Sequence, residues 1–309
     1  MKFTKFFATA AAAAVLALGV TGTAGAADMI KEFRVGVLGG ENASDRLRSN
    51  DCVRAGIEKL LGVTTKLYAP ADYNGVIEGL LGGNLDMAWL GASGYAKTYL
   101  TNPDAVEPVL TKINADGSFG YYSIGFARID KNIKTLSDMK GKKFAFGDPN
   151  STSGFLIPSI EIPAAGFPME GGKHFGEIVF SGGHEQTIVG VAGGDYDGGV
   201  SWADGLGNWE DGFNSGAFRK AVDAGLVDMT QLREIWRSKV IPEGPIVLRK
   251  SLPTNVKLQV TGYLASLPSM DPECAYGFMA GKIKAIAPIT HADYEIIIEA
   301  RKRKPKKKG

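Results

Sequence analysis

Side chains for metal or redox chemistry are scarce, with only three histidines and two cysteines in 309 residues. No two histidines stand at the H-x-x-x-H spacing that puts a pair of metal ligands on one helix face. Cys52 and Cys274 cannot form a C-x-x-C redox pair or a four-ligand zinc site, so neither a metal nor a cofactor is expected. In an oxidising compartment an even number of cysteines permits one disulfide, and their wide separation leaves the pairing open. Beyond the first 26 residues no apolar run approaches the roughly 20 residues that span a bilayer. There is no Pro/Ser-rich linker, no low-complexity segment and no internal repeat.

What the amino terminus does have is an export pattern. Lys2 and Lys5 precede an uncharged run from Phe6 to Val20, too short for a membrane span, and Ala24-Gly25-Ala26 supplies an A-x-A cleavage site. Residues 1–26 are expected to be a cleavable signal peptide, and the mature chain begins near Ala27 or Asp28. No cysteine lies near the cut to carry a lipid, so the product is expected to be released into the periplasm.

The overall charge of +2 conceals an acidic body. Lys2 and Lys5 leave with the signal, and seven basic residues crowd into Arg301–Lys308. Without those nine, 26 basic residues face 33 acidic ones, and a body of that sign repels nucleic acid. Residues 301–309 are expected to be a solvated basic tail, since like charges in a row repel.

About 280 mature residues suit two domains of 100 to 150 residues each. Short β-branched runs alternate with amphipathic stretches, the pattern of βα units around mostly parallel sheets, so the fold class is α/β. Strands are expected at Phe33–Val37, Thr64–Tyr68, Met87–Leu90, Pro108–Lys112, Ser123–Arg128, Lys143–Phe146, Glu177–Phe180, Gly199–Ser201, Glu234–Trp236 and Ile246–Leu248. Helices are expected at Asp51–Leu61, Asp72–Leu81, Ser93–Leu100, Glu185–Ala192, Ala217–Ala224, Val256–Ala265, Glu273–Ala280 and Ala292–Arg301. Two lobes without a linker imply strands that cross directly between them and act as hinges. Crossings at Tyr121–Arg128 and Ile241–Leu248 divide the chain into a discontinuous first lobe, 27–120 with 249–300, and a second lobe, 121–248. A ligand would then lie between the lobes, at carboxyl ends of strands.

The most informative stretch runs from Phe144 through Gly147-Asp148-Pro149-Asn150 to Ser151-Thr152-Ser153-Gly154-Phe155. It reads as a strand, a turn and a helix start, with Ser151 or Thr152 as the N-cap. Unpaired amides and the positive dipole end make such a start a seat for an anion. Three successive hydroxyls add donors for an oxyanion with several acceptor oxygens, while Pro158 and Pro163 shorten or kink the helix that follows.

With its surroundings this stretch resembles the phosphonate-binding periplasmic proteins of ABC transporters, which have the type II periplasmic binding fold. The likeness spans nearly all of the mature chain. Besides Gly147–Leu156 it is carried by Tyr68–Gly79, Asp86-Met87-Ala88-Trp89-Leu90-Gly91, Ala115–Ser123, Gly183-His184-Glu185 and Ile241–Val247. The resemblance implies a two-lobed binding component of an importer that delivers a phosphonate, or a related oxyanion, to an inner-membrane ABC permease. It further implies a monomer with no catalytic role. The phosphonate head would be held by Ser151, Thr152, Ser153, Tyr73, Tyr121 and His184, neutral donors suited to a dianion.

Members of that family that take aminoalkylphosphonates present two carboxylates to the ammonium end. Here the corresponding segments are Ser201-Trp202-Ala203-Asp204, a shorter acid beside a bulky ring, and Pro242-Glu243-Gly244-Pro245, with glycine where an acid is expected. Asp204 is thus carried as a ligand contact, and Glu243 supplies a second charge only if the hinge turns by one residue. A desolvated ammonium without a partner is costly, so the expected ligand is a phosphonate with a small or uncharged tail, followed by phosphite or phosphate-like anions. The order Ser153, His184, Asp204 suggests a hydrolase as the alternative, but no G-x-S-x-G elbow surrounds Ser153. A signalling module of the same fold is the other alternative.

Overall fold

A computed structural model describes residues 30–39, 42–170 and 172–303; the expected signal peptide and residues 304–309 lie outside these. From the amino end the order is β1 (Glu32–Gly36), α1 (Ala43–Leu61), β2 (Thr64–Tyr68), α2 (Tyr73–Leu81), β3 (Met87–Trp89), α3 (Ala92–Thr101) and β4 (Val106–Asn114). The middle of the chain supplies β5 (Tyr122–Arg128), β6 (Lys143–Phe146), α4 (Pro158–Ala164), β7 (Glu177–Phe180), α5 (His184–Gly193), β8 (Gly198–Ala203), α6 (Ala217–Asp223) and β9 (Leu232–Arg237). The return adds β10 (Pro245–Arg249), α7 (Thr254–Met270), α8 (Pro272–Phe278), β11 (Ile283–Pro288) and α9 (Glu295–Arg303).

Two mixed sheets result, ordered β11-β4-β10-β3-β1-β2 and β7-β6-β8-β5-β9. The first unites strands from both ends of the chain, and the second is built wholly from the middle. Each sheet has an apolar cluster on either side. Phe33, Ile57, Leu110, Val260 and Phe278 belong to one cluster of the first sheet, and Val76, Tyr95, Val247 and Ile297 to its opposite cluster. Burial on both faces explains why the inner strands β3 and β10 read as apolar runs, whereas β1 alternates.

Several boundaries differ from the sequence expectation. Helix α1 starts at Ala43, well before Asp51, because Asn42 caps it by accepting a hydrogen bond from the Ser44 amide at 2.9 Å. Its polar first turns carry no apolar periodicity to reveal them. Strand β11 was not anticipated; it pairs antiparallel with β4 at the sheet edge, where the terminal Pro288 is tolerated. The expected crossing at Ile241–Leu248 is shorter: β10 already pairs with β3 and β4 in the first sheet. Likewise β5 lies within the second sheet, between β8 and β9. The passing segments touch at Tyr121 and Ile241, each amide donating to the other's carbonyl at 2.9 and 2.8 Å.

The expected basic tail is also shorter, since α9 continues to Arg303 and Arg301 is engaged rather than solvated. Arg301 donates to Ser93 Oγ and, at 2.9 Å, to Asn150 Oδ1. Among the described residues no helix is long and apolar enough to cross a membrane.

Cys52 on α1 and Cys274 on α8 form a disulfide inside the first lobe, across 222 residues of sequence. It joins the two separate stretches of chain that build that lobe. A bond closing so long a loop restricts the unfolded ensemble strongly, and removing a native disulfide typically costs about 2–5 kcal/mol. The Cys52→Ala/Cys274→Ala variant should therefore unfold at markedly lower guanidinium concentration than the wild type, and reductant should shift only the wild type. Equal midpoints for the two proteins would contradict a stabilising role for the bond.

Candidate functional site

A cavity of about 120 Å³ lies between the two sheets. Of the seven residues expected to bind ligand, Tyr73, Tyr121, Ser151, Thr152, Ser153 and His184 all line it.

The second-lobe wall begins where β6 ends. Ser151 is the N-cap, its Oγ accepting from the Gly154 amide at 2.9 Å. The next residues, Thr152–Leu156, form a single wide turn in which the Leu156 and Ile157 amides donate to the carbonyls of Ser151 and Thr152, five residues back. Pro158 then opens α4 from its first turn, the position where a missing N–H costs nothing. Ile157 is right-handed helical at the junction, so the wide turn runs into α4, which is only 7 residues long and contains Pro163. Amides at the start of such a turn have no acceptor within it, and with Gly154 capped by Ser151 those of Thr152 and Ser153 stand at the cavity wall. Gly154 must lack a side chain here, because a Cβ would sit 2.8 Å from Ser151 Oγ and 3.1 Å from His184 Cε1.

His184 opens α5 beside this turn. Its Nε2 lies 3.2 Å from Ser151 Oγ and its Nδ1 3.3 Å from Ser201 Oγ, so the ring is oriented from both sides. Burial, aided by the nearby Lys220, pushes its pKa down to about 3, leaving a neutral imidazole at physiological pH. Tyr121 lies within hydrogen-bond reach of the Ser153 and Thr152 hydroxyls, and burial holds its phenol well above the ordinary range. It therefore stays protonated and able to donate.

The first-lobe wall meets this turn directly. The Ser93 amide donates to Thr152 Oγ1 at 2.9 Å, which leaves the Thr152 proton for another acceptor. The Tyr73 amide, at the start of α2, donates to Asp148 Oδ2 at 3.4 Å. Arg46, almost wholly buried, holds the loop after β1 by donating to the carbonyls of Val37, Leu38 and Pro70 at 3.1 to 3.2 Å.

Asp204 is the expected contact that the structure does not bring to the cavity. Its Oδ1 accepts from the Leu206 amide and its Oδ2 from Ser215 Oγ, each at 3.1 Å, so its own loop consumes both oxygens. A Ser-His-Asp relay is accordingly not assembled: the hydroxyl at His184 Nε2 belongs to Ser151, and its other nitrogen faces a serine. Glu243, by contrast, does line the cavity, without any turn of the hinge. Gly244 cannot carry an acid, since a Cβ there would fall 2.0 Å from the Leu90 carbonyl oxygen. Sequence reading missed the partner of Glu243, the fully buried Lys112 of β4, whose Nζ lies 2.9 Å from Glu243 Oε1. A lysine flanked by Val109, Leu110 and Ile113 in a predicted strand was the available signal.

The family described as the phosphonate periplasmic substrate-binding proteins of ABC transporters matches residues 35–294. The chain belongs to this family. It is similar to the phosphate-import protein PhnD of Mycolicibacterium smegmatis, 31% identical over 82% of this chain and 80% of that protein. It is also similar to the phosphonates-binding periplasmic protein of Escherichia coli, 32% identical over 65% of this chain and 56% of that one. Among solved structures, PhnD1 of Prochlorococcus marinus in complex with methylphosphonate superposes with a TM-score of 0.74 at 20% identity, over 88% of this chain and 97% of that one. A phosphonate transporter binding component from Pseudomonas aeruginosa gives 0.75 at 22% identity, over 87% of this chain and 85% of that one. The fold is that of the type II periplasmic binding proteins, and the chain is a substrate-binding component of an ABC phosphonate importer, not an enzyme.

The buried neutral His184 makes stability pH-dependent. An unfolded imidazole takes up a proton near pH 6.5, whereas the folded one does so only near pH 3. The stabilisation is thus complete above about pH 6.5 and declines by up to about 1.4 kcal/mol per unit as pH falls from there. Between pH 7 and pH 5, ligand-free wild type should lose about 2 kcal/mol more than His184→Asn in urea denaturation; equal losses would contradict a buried neutral ring.

Proposed function

We propose that the cavity captures a phosphonate with a small or uncharged tail, and less readily phosphite or phosphate, between the two lobes. Ser151, Thr152 and Ser153 hold the head from one side, with His184 beside them, while Tyr73 and Tyr121 complete the ring from the first lobe and the crossing. The observation that carries this reading is the convergence of these six neutral donors on one small cavity, which Arg46 and Lys220 also line. Amides, hydroxyls and an imidazole N–H can fill the acceptor sites of a dianion directly.

The ligand favours closure only through contacts it makes better in the closed form. Donors from both halves meet that condition. The closed shape is then what the permease recognises, and dissociation into the permease follows reopening. The protein acts as a monomer after cleavage of its amino-terminal signal and release into the periplasm, and its acidic body keeps it from nucleic acid. The name of the Mycolicibacterium relative, a phosphate-import protein, makes inorganic phosphate a required comparison.

The test is isothermal titration calorimetry of the mature protein with methylphosphonate, phosphite, phosphate and sulfate. Tyr121→Phe and Ser153→Ala each delete one hydroxyl, and each should weaken methylphosphonate at least about tenfold, as loss of a hydrogen bond to a charged group does. Undiminished affinity in both folded variants would refute this site.

A further inference from the structure

We propose that Lys112 fixes the class of ligand this site accepts, by presenting to Glu243 from inside the protein the ammonium that an aminated ligand would otherwise bring. The inference rests on the phosphonate reading above and deepens it: the site selects phosphonates whose tails carry no cation.

Lys112 stands on β4 with its side chain wholly buried, and it does not line the cavity. Its Nζ lies 2.9 Å from Glu243 Oε1, donates to Ser215 Oγ at 3.1 Å, and sits 5.0 Å from the centre of the Trp202 ring. Ser215 in turn donates to Asp204 Oδ2 at 3.1 Å. The lysine therefore pairs with Glu243 as an ion, Oε1 accepting no directed hydrogen bond, and reaches Asp204 through a single hydroxyl. Glu243 and Trp202 are the members of this cluster at the cavity surface. Burial pushes the Glu243 carboxyl up, and Lys112 draws it back toward the charged form.

A buried carboxylate is an expensive group that demands a cation, and the fold has already provided one. A ligand ammonium entering beside Trp202 would lose its water, find Glu243 engaged and meet a like charge behind it. An alkyl tail in the same place loses nothing and gains contact with the indole. Ammonium and methyl groups are close in size, so charge rather than bulk separates such ligands.

The experiment compares tails of matched length by calorimetry on the mature protein: ethylphosphonate against aminomethylphosphonate, and propylphosphonate against 2-aminoethylphosphonate. Wild type should bind the alkyl member of each pair that fits more tightly than its amino counterpart. In Lys112→Met, which keeps the apolar stem, Glu243 is left without its cation. The ratio should then move toward the amino ligand by roughly 10- to 100-fold, the worth of one charge-assisted hydrogen bond. Adding Glu243→Gln to that variant should abolish the shift. Equal affinity for amino and alkyl members in the wild type overturns the inference whether or not the variants fold. So does an unchanged ratio in folded Lys112→Met, or a shift that survives Glu243→Gln. A wild type that binds no phosphonate at all fails at an earlier point and removes the ligand reading itself, a result recognisable without any variant.

Discussion

The reciprocal backbone bonds between Tyr121 and Ile241 are the constraint on which the site depends. They tie the two passing segments into a joint just before β5 and β10 diverge into different sheets. Residues near this joint are fixed relative to one another although they belong to different halves of the fold. Tyr121, one of the bonded pair, is brought to the cavity by one passing segment, and Glu243, two residues beyond Ile241, by the other. Gly244 then allows the chain to pass against the Leu90 carbonyl, where any Cβ would collide, and the Leu90 amide donates to the Pro245 carbonyl at 2.9 Å.

Around that joint the charged groups are arranged so that few of them face the cavity uncompensated. Arg46 and Lys220 both stand at the cavity wall, Arg46 with its Nη1 directed at three carbonyls, while Lys112 is turned to Glu243 and Ser215 and His184 is kept neutral by burial. The seat is left with amides and hydroxyls as its chief donors. Such groups need no counter-ion when the cavity holds no ligand, so the ligand-free protein is spared a buried unpaired charge. They also discriminate by geometry, since several fixed donors match a group with several oxygens better than a single-point anion.

The parts of this arrangement that rest on neighbouring residues were legible in the sequence. Strands β2, β6 and β7 match their expected limits because each is a short apolar or β-branched run ended by a turn. The turn after β6 was visible for the same reason, since Gly147 through Gly154 contains its own turn and cap. The parts that depend on distant pairing were not. Lys112 and Glu243 meet only because β4 and β10 are adjacent in a sheet, and nothing near either residue announces the other. Asp204 is not among the residues that line the cavity, and its hydrogen-bond donors, Leu206 and Ser215, belong to a loop whose path no periodicity specifies. The start of α1 was hidden by a polar first turn whose one buried charge, Arg46, is held by carbonyls rather than by a stripe of apolar neighbours.

Arg301 shows how far composition alone can mislead. Its place in a run of seven basic residues reads as a repelling, solvated end, yet it lies on the last turn of α9 with Ile297 and Ile298 buried one turn before it. That packing carries the guanidinium to Ser93 in its own lobe and to Asn150 in the other. Ser93 also donates its amide to Thr152, and Asn150 immediately precedes Ser151, so the contact ends on both sides of the anion seat. Arg301 thus ties the last helix of the described residues to the turn that leads into Ser151, across the two sheets and outside the residues that line the cavity.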